Sequence, residues 1–291
     1  MGPVGTRRPM DTVKPLAVVT GASSGIGLAL ARVFAGRGFD LVVCAEDAAV
    51  TAVADELRDL GAGVVAVRAD LAVYDGVEQL YAAVLATGRP VAAAVLNAGV
   101  GAGGAFTDVD LADHARIIDL NVSSTVHLAH RLLPGMIAAG AGRLMITSSV
   151  ASMAPGPFQS VYNASKSFLQ SFAQALREEL RGTGVTVTVL MPGPTRTAFF
   201  RRAGMAGTRL GRMVKDDPAV VAEQGFAALR RGRGRVTAGS AATRVLGTVV
   251  KPLPDRLTAL GQRFLSEPRP RARNRNRTRN NRNLTRTRPG T

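Results

Sequence analysis

The sequence has little of what marks secreted or membrane proteins. Its 291 residues contain a single cysteine, Cys44, so no disulfide can form within the chain. Cys44 lies in the apolar run Leu41 to Ala45, which favours a small core residue over a reactive thiol. No stretch reaches about 18 uncharged apolar residues, and the first 14 residues lack the apolar region of a secretory signal. We therefore expect a cytoplasmic protein without a transmembrane segment.

What the sequence does have is enough apolar material for one large α/β domain. Apolar residues make up 46% of the chain, which is sufficient for a full core. Short apolar runs alternate with helical segments, and this alternation predicts a single Rossmann-like, doubly wound parallel sheet of about seven strands with helices on both faces, spanning residues 15–240. The predicted strands are Leu16 to Thr20, Leu41 to Ala45, Val64 to Arg68, Val91 to Leu96, Arg143 to Thr147, Val185 to Leu190 and Arg235 to Ala238.

Both ends of the chain differ from this domain. Residues 1–14 are predicted to be a flexible extension. Residues 241–267, interrupted at Pro252 and Pro254, are predicted to form short helices that pack on the domain, on a partner subunit or at a membrane surface. Residues 268–291 contain nine arginines, no acid and one large apolar residue, Leu284, so we expect disorder. These arginines supply more than half of the net charge of +16 and are either a nonspecific charge run or a weak site for nucleic acid or another polyanion.

A glycine-rich turn follows the first predicted strand. Residues 20–27 read T-G-A-S-S-G-I-G and open a helix predicted over residues 26–37. Glycines at these places let a pyrophosphate approach the backbone at a helix N-terminus. The candidate cofactor-binding residues of this turn are Gly21, Ser23, Ser24, Gly25, Ile26 and Gly27.

A serine, a tyrosine and a lysine form a candidate catalytic group. Tyr162 and Lys166 lie four residues apart on one face of a predicted helix, and Ser149 lies thirteen residues before the tyrosine, just after a predicted strand. A nearby ammonium favours a phenolate, so the trio suits proton transfer to or from an alcohol. A solvated lysine beside a half-buried tyrosine is the alternative for a Tyr-x-x-x-Lys pair taken alone.

Together, the G-x-x-x-G-x-G turn and the Ser149, Tyr162, Lys166 spacing resemble the short-chain dehydrogenase/reductase family, over about Leu16 to Gly239. The resemblance implies an NAD(P)-dependent oxidoreductase that transfers a hydride between nicotinamide and a carbonyl or alcohol. It implies that Tyr162 moves the proton, that Ser149 positions the substrate oxygen, and that Lys166 lowers the tyrosine pKa and holds the nicotinamide ribose. It also implies a homodimer or homotetramer.

The resemblance assigns further residues. Asn121 would be a fourth catalytic residue whose amide holds a water that links the lysine to solvent; a helix kink or a buried structural amide is the alternative. Residues 198–217 would be a lid, and five of its residues would wall an apolar pocket or simply pack: Phe199, Phe200, Met205, Leu210 and Met213. The other implied cofactor-binding residues are Asp70, Leu71, Asn97, Ala98, Gly99, Tyr162, Lys166, Pro192, Gly193, Thr195 and Thr197.

The choice of cofactor depends on the residues after the second strand. Glu46 can hold a ribose 2′-hydroxyl and repel a 2′-phosphate, or it can simply start a helix together with Asp47. With no obvious cation to receive the phosphate, the sequence leans slightly to NAD over NADP. No metal site is expected at the three histidines. Two alternative functions remain: a nucleotide-binding sensor or scaffold, and an epimerase or dehydratase on the same fold.

Overall fold

The computed structural model describes residues 13–249 and 254–268. In this part of the chain, seven parallel strands form one sheet in the order β3-β2-β1-β4-β5-β6-β7. The predicted fold class is confirmed. The strands are β1 (Leu16–Thr20), β2 (Asp40–Ala45), β3 (Val64–Arg68), β4 (Val91–Leu96), β5 (Gly142–Thr147), β6 (Val185–Pro192) and β7 (Arg235–Ala238).

Helices cover both faces of the sheet, which explains why the central strands are apolar on both sides. The helices are α1 (Gly25–Gly36), α2 (Ala49–Asp59), α3 (Tyr74–Ala86), α4 (Leu111–Ile118), α5 (Ser124–Ala138), α6 (Ser160–Glu179), α7 (Phe199–Arg202), α8 (Arg209–Arg212), α9 (Pro218–Arg230), α10 (Ala241–Val249) and α11 (Asp255–Ser266).

Two hydrophobic cores lie on opposite sides of the sheet. On one side, α1 and α9 bring Phe34 and Phe226 together, with ring centroids 4.9 Å apart. On the other, α3, α5 and α6 contribute Leu80, Leu128 and Leu169. Because these side chains are fully or almost fully buried, the loops at the carboxyl ends of the strands rest on a rigid base.

The predicted elements differ from the observed ones mainly at their ends. Strand β6 continues to Pro192 because Met191 and Pro192 pair with Thr237 and Ala238 of β7. Helix α1 lies one residue earlier than predicted at both ends. The long helical segment around Asn121 is not uniform, because residues 119–123 form a π-helical turn between α4 and α5.

The segment after β7 contains two short helices, α10 and α11. Helix α11 packs on the domain, where the Gln159 Nε2 donates to the Ser266 Oγ at 2.7 Å and both side chains are buried. No helix of residues 13–249 or 254–268 is long and apolar enough to cross a membrane. The predictions for residues 1–12 and for the arginine-rich residues 269–291 concern parts of the chain outside the described residues.

Candidate active site

A cavity of about 1330 Å³ opens at the carboxyl ends of the strands. The segments that follow β1 to β6 all contribute to its wall, as the doubly wound topology predicts. Every predicted catalytic or cofactor-binding residue lines this cavity except Gly27 and Asn121.

The glycine-rich turn has the shape of a phosphate cradle. Gly21 and Gly25 have φ values of +64° and +60°, a region that side chains other than glycine rarely adopt. A Cβ on Gly27 would lie 2.1 Å from the carbonyl oxygen of Gly21, so only glycine lets the turn close. The Ser24 side chain does not cap α1, and no acid lies in the first turn of this helix. The N-terminus of α1 therefore fits an anionic group such as the pyrophosphate of a dinucleotide.

Thr20 fastens this turn to the end of β4. Its Oγ1 accepts hydrogen bonds from the backbone N–H groups of Asn97 and Ala98 at 2.9 and 3.0 Å. The Asn97 Nδ2 donates to the carbonyl oxygen of Thr20 at 3.1 Å. The Asn97–Gly99 element thus steadies the junction of β1 and β4, where the strand order reverses. Sequence reasoning did not identify Thr20, because its role depends on a neighbour 77 positions away.

Ser149, Tyr162 and Lys166 meet in one wall of the cavity, as predicted. Ser149 follows β5 and caps a short 3₁₀ turn, accepting from the backbone N–H of Ala151 at 3.1 Å, and its side chain hydrogen-bonds the Tyr162 phenol. Helix α6 places the Lys166 Nζ 5.8 Å from the centroid of the Tyr162 ring. The same ammonium donates to the carbonyl oxygen of Thr147 at 2.9 Å. A hydroxyl, a phenol and an amine therefore face the same space.

Burial controls the pKa values of both ionisable groups. It raises the pKa of the Tyr162 phenol to about 12, and the hydrogen bond with Ser149 acts in the opposite direction. It lowers the pKa of the Lys166 ammonium to about 8, since charge is costly away from water. The predicted net lowering of the Tyr162 pKa is therefore not what this geometry gives. The surroundings that bring the two groups together penalise the charged form of each.

Asn121 is fully buried within the π-helical turn. Its Nδ2 donates to the carbonyl oxygen of Val100 and to the Ser165 Oγ, both at 3.0 Å, and its Oδ1 accepts from the N–H of Val100 at 2.9 Å. Both amide hydrogens are thus engaged, and Oδ1 is the amide atom with capacity for a water. A Cβ on Gly99 would lie 3.0 Å from this Oδ1 and 3.2 Å from the Lys166 Nζ. The absence of a side chain at Gly99 leaves the two groups close, and the water relay stays a prediction.

The end of the cavity next to β2 and β3 contains an arginine that sequence reasoning missed. The Arg116 guanidinium on α4 pairs with the Glu46 carboxylate and donates to the Asp70 Oδ2 at 3.0 Å. Burial alone would raise the pKa of the Asp70 carboxyl, but hydrogen bonds from Arg116 and from the backbone of Ala72 hold it below its usual value. The expectation that no cation lies near Glu46 is therefore wrong. Arg116 follows Glu46 by 70 positions, and no spacing in the sequence connects them.

The segment after β6 forms another part of the cavity wall. The Thr195 Oγ1 donates to the carbonyl oxygen of Gly193 at 2.9 Å, and the Thr197 Oγ1 accepts from the N–H of Phe199 at 3.2 Å. Thr197 also touches the glycine-rich turn, because a Cβ on Gly25 would lie 2.9 Å from its Cγ2. The predicted cofactor-binding residues of this segment thus adjoin the cradle.

Helices α7 and α8 form the predicted lid region. The Phe199 ring centroid lies 5.1 Å from that of Tyr162, so an apolar surface adjoins the phenol. Of the five predicted wall residues, Met205 instead packs with Phe200 and Ala203 in a small cluster of the lid. Helix α11 adds Gln262 and Leu265 to the cavity wall, a contribution that the sequence analysis did not assign.

The nucleotide cradle and the Ser149, Tyr162, Lys166 group also occur together in known proteins. A family described as short chain dehydrogenase matches residues 15–206. Sulfoacetaldehyde reductase 2 of Chromohalobacter salexigens is 39% identical over 190 residues, which are 63% of this chain and 74% of that protein. Oxidoreductase UcpA of Salmonella typhimurium is 34% identical over 182 residues, 62% of this chain and 69% of the relative.

Solved structures agree with this match. A short-chain dehydrogenase/reductase from Burkholderia phymatum in complex with NAD superposes with a TM-score of 0.73 at 27% identity, covering 89% of this chain and 98% of that one. A short-chain dehydrogenase from Sphingobium yanoikuyae in complex with NADPH gives a TM-score of 0.71 at 28% identity, with the same coverage. Because the family match covers most of the domain that holds the cradle and the Tyr162 site, the chain belongs to the short-chain dehydrogenase family.

Proposed function

We propose that Tyr162 is the general acid/base of this enzyme, an NAD(P)-dependent oxidoreductase that acts on CH–OH and C=O groups. The observation that carries this assignment is the Ser149–Tyr162 hydrogen bond beside the buried Lys166, in a cavity shared with the glycine cradle. The relative named a reductase and the neighbouring structures with NAD and NADPH support the same class of reaction.

Each residue of the site has a role that follows from its contacts. Ser149 can hold a substrate oxygen within reach of the Tyr162 hydroxyl, because its side chain already contacts that hydroxyl. When bound, the nicotinamide supplies the hydride chemistry. The cradle at Gly21 and Gly25 would hold its pyrophosphate, and Lys166 would hold the nicotinamide ribose. A charged Lys166 also opposes the effect of burial on the Tyr162 pKa.

The protonated form of Tyr162 can act as the proton donor in carbonyl reduction. With its pKa near 12, the phenol keeps its proton at neutral pH and can donate it to the oxygen of a reduced carbonyl. Alcohol oxidation requires the opposite transfer and therefore a phenolate. We expect the enzyme to reduce aldehydes or ketones at neutral pH and to oxidise alcohols faster as the pH rises.

The decisive experiment compares Tyr162→Phe with the wild type on a panel of aldehydes and ketones with NADH and NADPH. Loss of the hydroxyl should lower kcat by about 100-fold or more and leave cofactor binding in calorimetry intact. Tyr74→Phe is the matched control, because Tyr74 is 64% exposed and lies outside the cavity. Undiminished turnover of Tyr162→Phe would refute the assignment. Product analysis separates a reductase from an epimerase or dehydratase, which uses the same pair without net redox change.

We propose that the enzyme binds NAD slightly more tightly than NADP. Glu46, Asp47 and Asp70 line the relevant end of the cavity, and Arg116 offsets only part of their charge. Asp47 also accepts a hydrogen bond from the Ser23 Oγ at 2.9 Å, which fixes a carboxylate beside the cradle. An excess of carboxylates disfavours a 2′-phosphate by like-charge repulsion.

A homodimer or homotetramer and a cytoplasmic location are also proposed, on the family resemblance. Light scattering of the purified chain tests the first, and cell fractionation tests the second.

A further inference from the structure

Helix α11 lies at the mouth of the cavity with one face inward and one face outward. Its inward face contributes Gln262 and Leu265 to the cavity wall. Its outward face exposes Leu257, Leu260 and Phe264, which are 58%, 63% and 59% accessible. These three positions follow the i, i+3, i+7 spacing of a single helical stripe. An apolar stripe of this kind, beside the mouth of a binding cavity, indicates a contact surface.

Cationic side chains surround this stripe. Arg256 and Arg263 lie four residues before and three residues after Leu260, so they border it on the helix surface. Arg209 of α8 stacks on Phe264, with the guanidinium carbon 3.9 Å from the ring centroid, and donates to the carbonyl oxygen of that residue. The lid segment is therefore joined directly to the stripe.

The lid segment itself is strongly basic. Residues 198–215 contain four arginines and a lysine but no acid, and the only acids of the lid segment are its last two residues, Asp216 and Asp217. Met213 and Val214 of the same segment line the cavity and are 42% and 97% exposed. The segment therefore carries exposed apolar side chains as well as cations. Nine more arginines follow α11 in residues 268–291. The contact between Arg209 and Phe264 thus places the basic lid segment and the helical stripe next to each other on one side of the molecule.

We propose that this side, formed by residues 201–215 and by α11, binds the surface of a bilayer that carries anionic lipids. The stripe and the tips of Met213 and Val214 would enter the boundary between headgroups and acyl chains, and the arginines would contact the phosphates. An amphipathic helix bordered by cations is the established physical means of interfacial binding. A polybasic segment next to such a helix adds electrostatic attraction, which provides the second signal that stable attachment requires.

A second copy of the chain fits this surface poorly. In a two-fold contact the same patch meets itself, so the arginines of residues 198–215 would lie close to those of the other copy. Like charges placed opposite each other oppose association.

A nucleic acid accounts for the arginines but not for the stripe. It offers phosphates, yet it offers no apolar environment for Leu257, Leu260 and Phe264. Residues 268–291 also contain no aromatic side chain for stacking on bases. An anionic bilayer is the one occupant that matches both the charge and the apolar area.

Co-sedimentation of the full chain with lipid vesicles tests the proposal. The vesicles contain either phosphatidylcholine alone or phosphatidylcholine and phosphatidylserine in equal parts. We expect binding to the mixed vesicles, weaker binding to the neutral ones, and a decrease as salt screens the cations. The double variant Leu257→Ser/Leu260→Ser should bind the mixed vesicles about tenfold more weakly or worse.

Two further variants control this measurement. Leu60→Ser/Leu85→Ser removes two leucines that are 51% and 60% exposed elsewhere, and it should bind like the wild type. Arg201→Gln/Arg212→Gln keeps the stripe and should weaken binding only to the mixed vesicles. Melting temperatures establish that each variant is folded.

Several results would overturn the proposal. One is equal binding of the two leucine double variants to the mixed vesicles. Another is wild-type binding that does not distinguish neutral from anionic vesicles. A change of oligomeric state in Leu257→Ser/Leu260→Ser, seen by light scattering, would identify a second copy as the occupant. Binding to duplex DNA without binding to vesicles would identify nucleic acid.

Discussion

The buried lysine of the active site should reduce the stability of the fold at neutral pH. Lys166 is 4% exposed, and its ammonium donates a hydrogen bond to the carbonyl oxygen of Thr147 at 2.9 Å. Replacing it with methionine keeps a side chain of similar length and removes the charge. We therefore expect Lys166→Met to be inactive and yet more stable than the wild type at pH 7.

The magnitude follows from the shift in pKa. Burial lowers the pKa of Lys166 from 10.5 to about 8, and at about 1.4 kcal/mol per unit the charged lysine costs the fold about 3 kcal/mol at pH 7. Losing the hydrogen bond to Thr147 destabilises the variant by about 1 kcal/mol. Lys166→Met should thus raise the free energy of unfolding by about 2 kcal/mol at pH 7.

The pH dependence gives the sign of the effect. Because the pKa is lower in the folded state than in the unfolded state, the penalty is complete below about pH 8 and disappears as the pH rises towards 10.5. Between these values the unfolded chain holds the extra proton, so the wild type gains stability with increasing pH. The advantage of Lys166→Met should fall from about 2 kcal/mol at pH 7 to near zero at about pH 9.5.

Urea unfolding at several pH values between 7 and 9.5 measures this difference. Lys14→Met is the control, because the Lys14 Nζ lies at the surface against the carbonyl oxygen of Gly61. Its unfolding free energy should stay parallel to that of the wild type over the whole range. A Lys166→Met curve that is also parallel to the wild type would show that the ammonium carries no burial penalty, and the reasoning would be wrong.

Three further changes test the cofactor-binding end of the cavity and the arginine-rich residues 268–291. Glu46→Gln should shift binding towards NADP in calorimetry, because Arg116 loses one of its two carboxylate partners and the repulsion of a 2′-phosphate falls; an unchanged NAD to NADP ratio would count against it. Gly27→Ala should abolish dinucleotide binding and lower the melting temperature, since its Cβ would meet the carbonyl oxygen of Gly21 at 2.1 Å, and wild-type affinity would contradict the cradle. Removal of residues 268–291 should leave kcat and melting temperature nearly unchanged and reduce retention on heparin; a large drop in melting temperature would show that the tail packs on the fold.

The fold was predictable because its signals are local. Four of the seven strands have the predicted bounds, and the others differ by one or two residues at an end. Strand β1, for example, is an apolar run whose five residues are all buried. The π-helical turn at residues 119–123 was not predictable, because it arises from the bonds of Asn121 to Val100 and Ser165 across the fold.

The site was predictable as far as its residues follow the ends of strands. Ser149 and Tyr162 meet because β5 and α6 are neighbours in the chain. Arg116 was not predictable, because its partners Glu46 and Asp70 lie on other segments and only the folded chain brings them together. The pKa of Tyr162 was also beyond the sequence, since it depends on how much protein surrounds the phenol.

The interior position of β1 between β2 and β4 fixes the order in which the sheet can be completed during synthesis. One neighbour, β2, follows within 20 positions of β1, but the other, β4, is made only after residues 21–90. At about 5–20 residues per second, the ribosome needs on the order of 4–15 s for that stretch. Throughout this interval one side of β1 has no strand to receive its hydrogen bonds, and the apolar sequence L-A-V-V-T stands at an open edge. The nascent chain is therefore most prone to aggregation before β4 emerges.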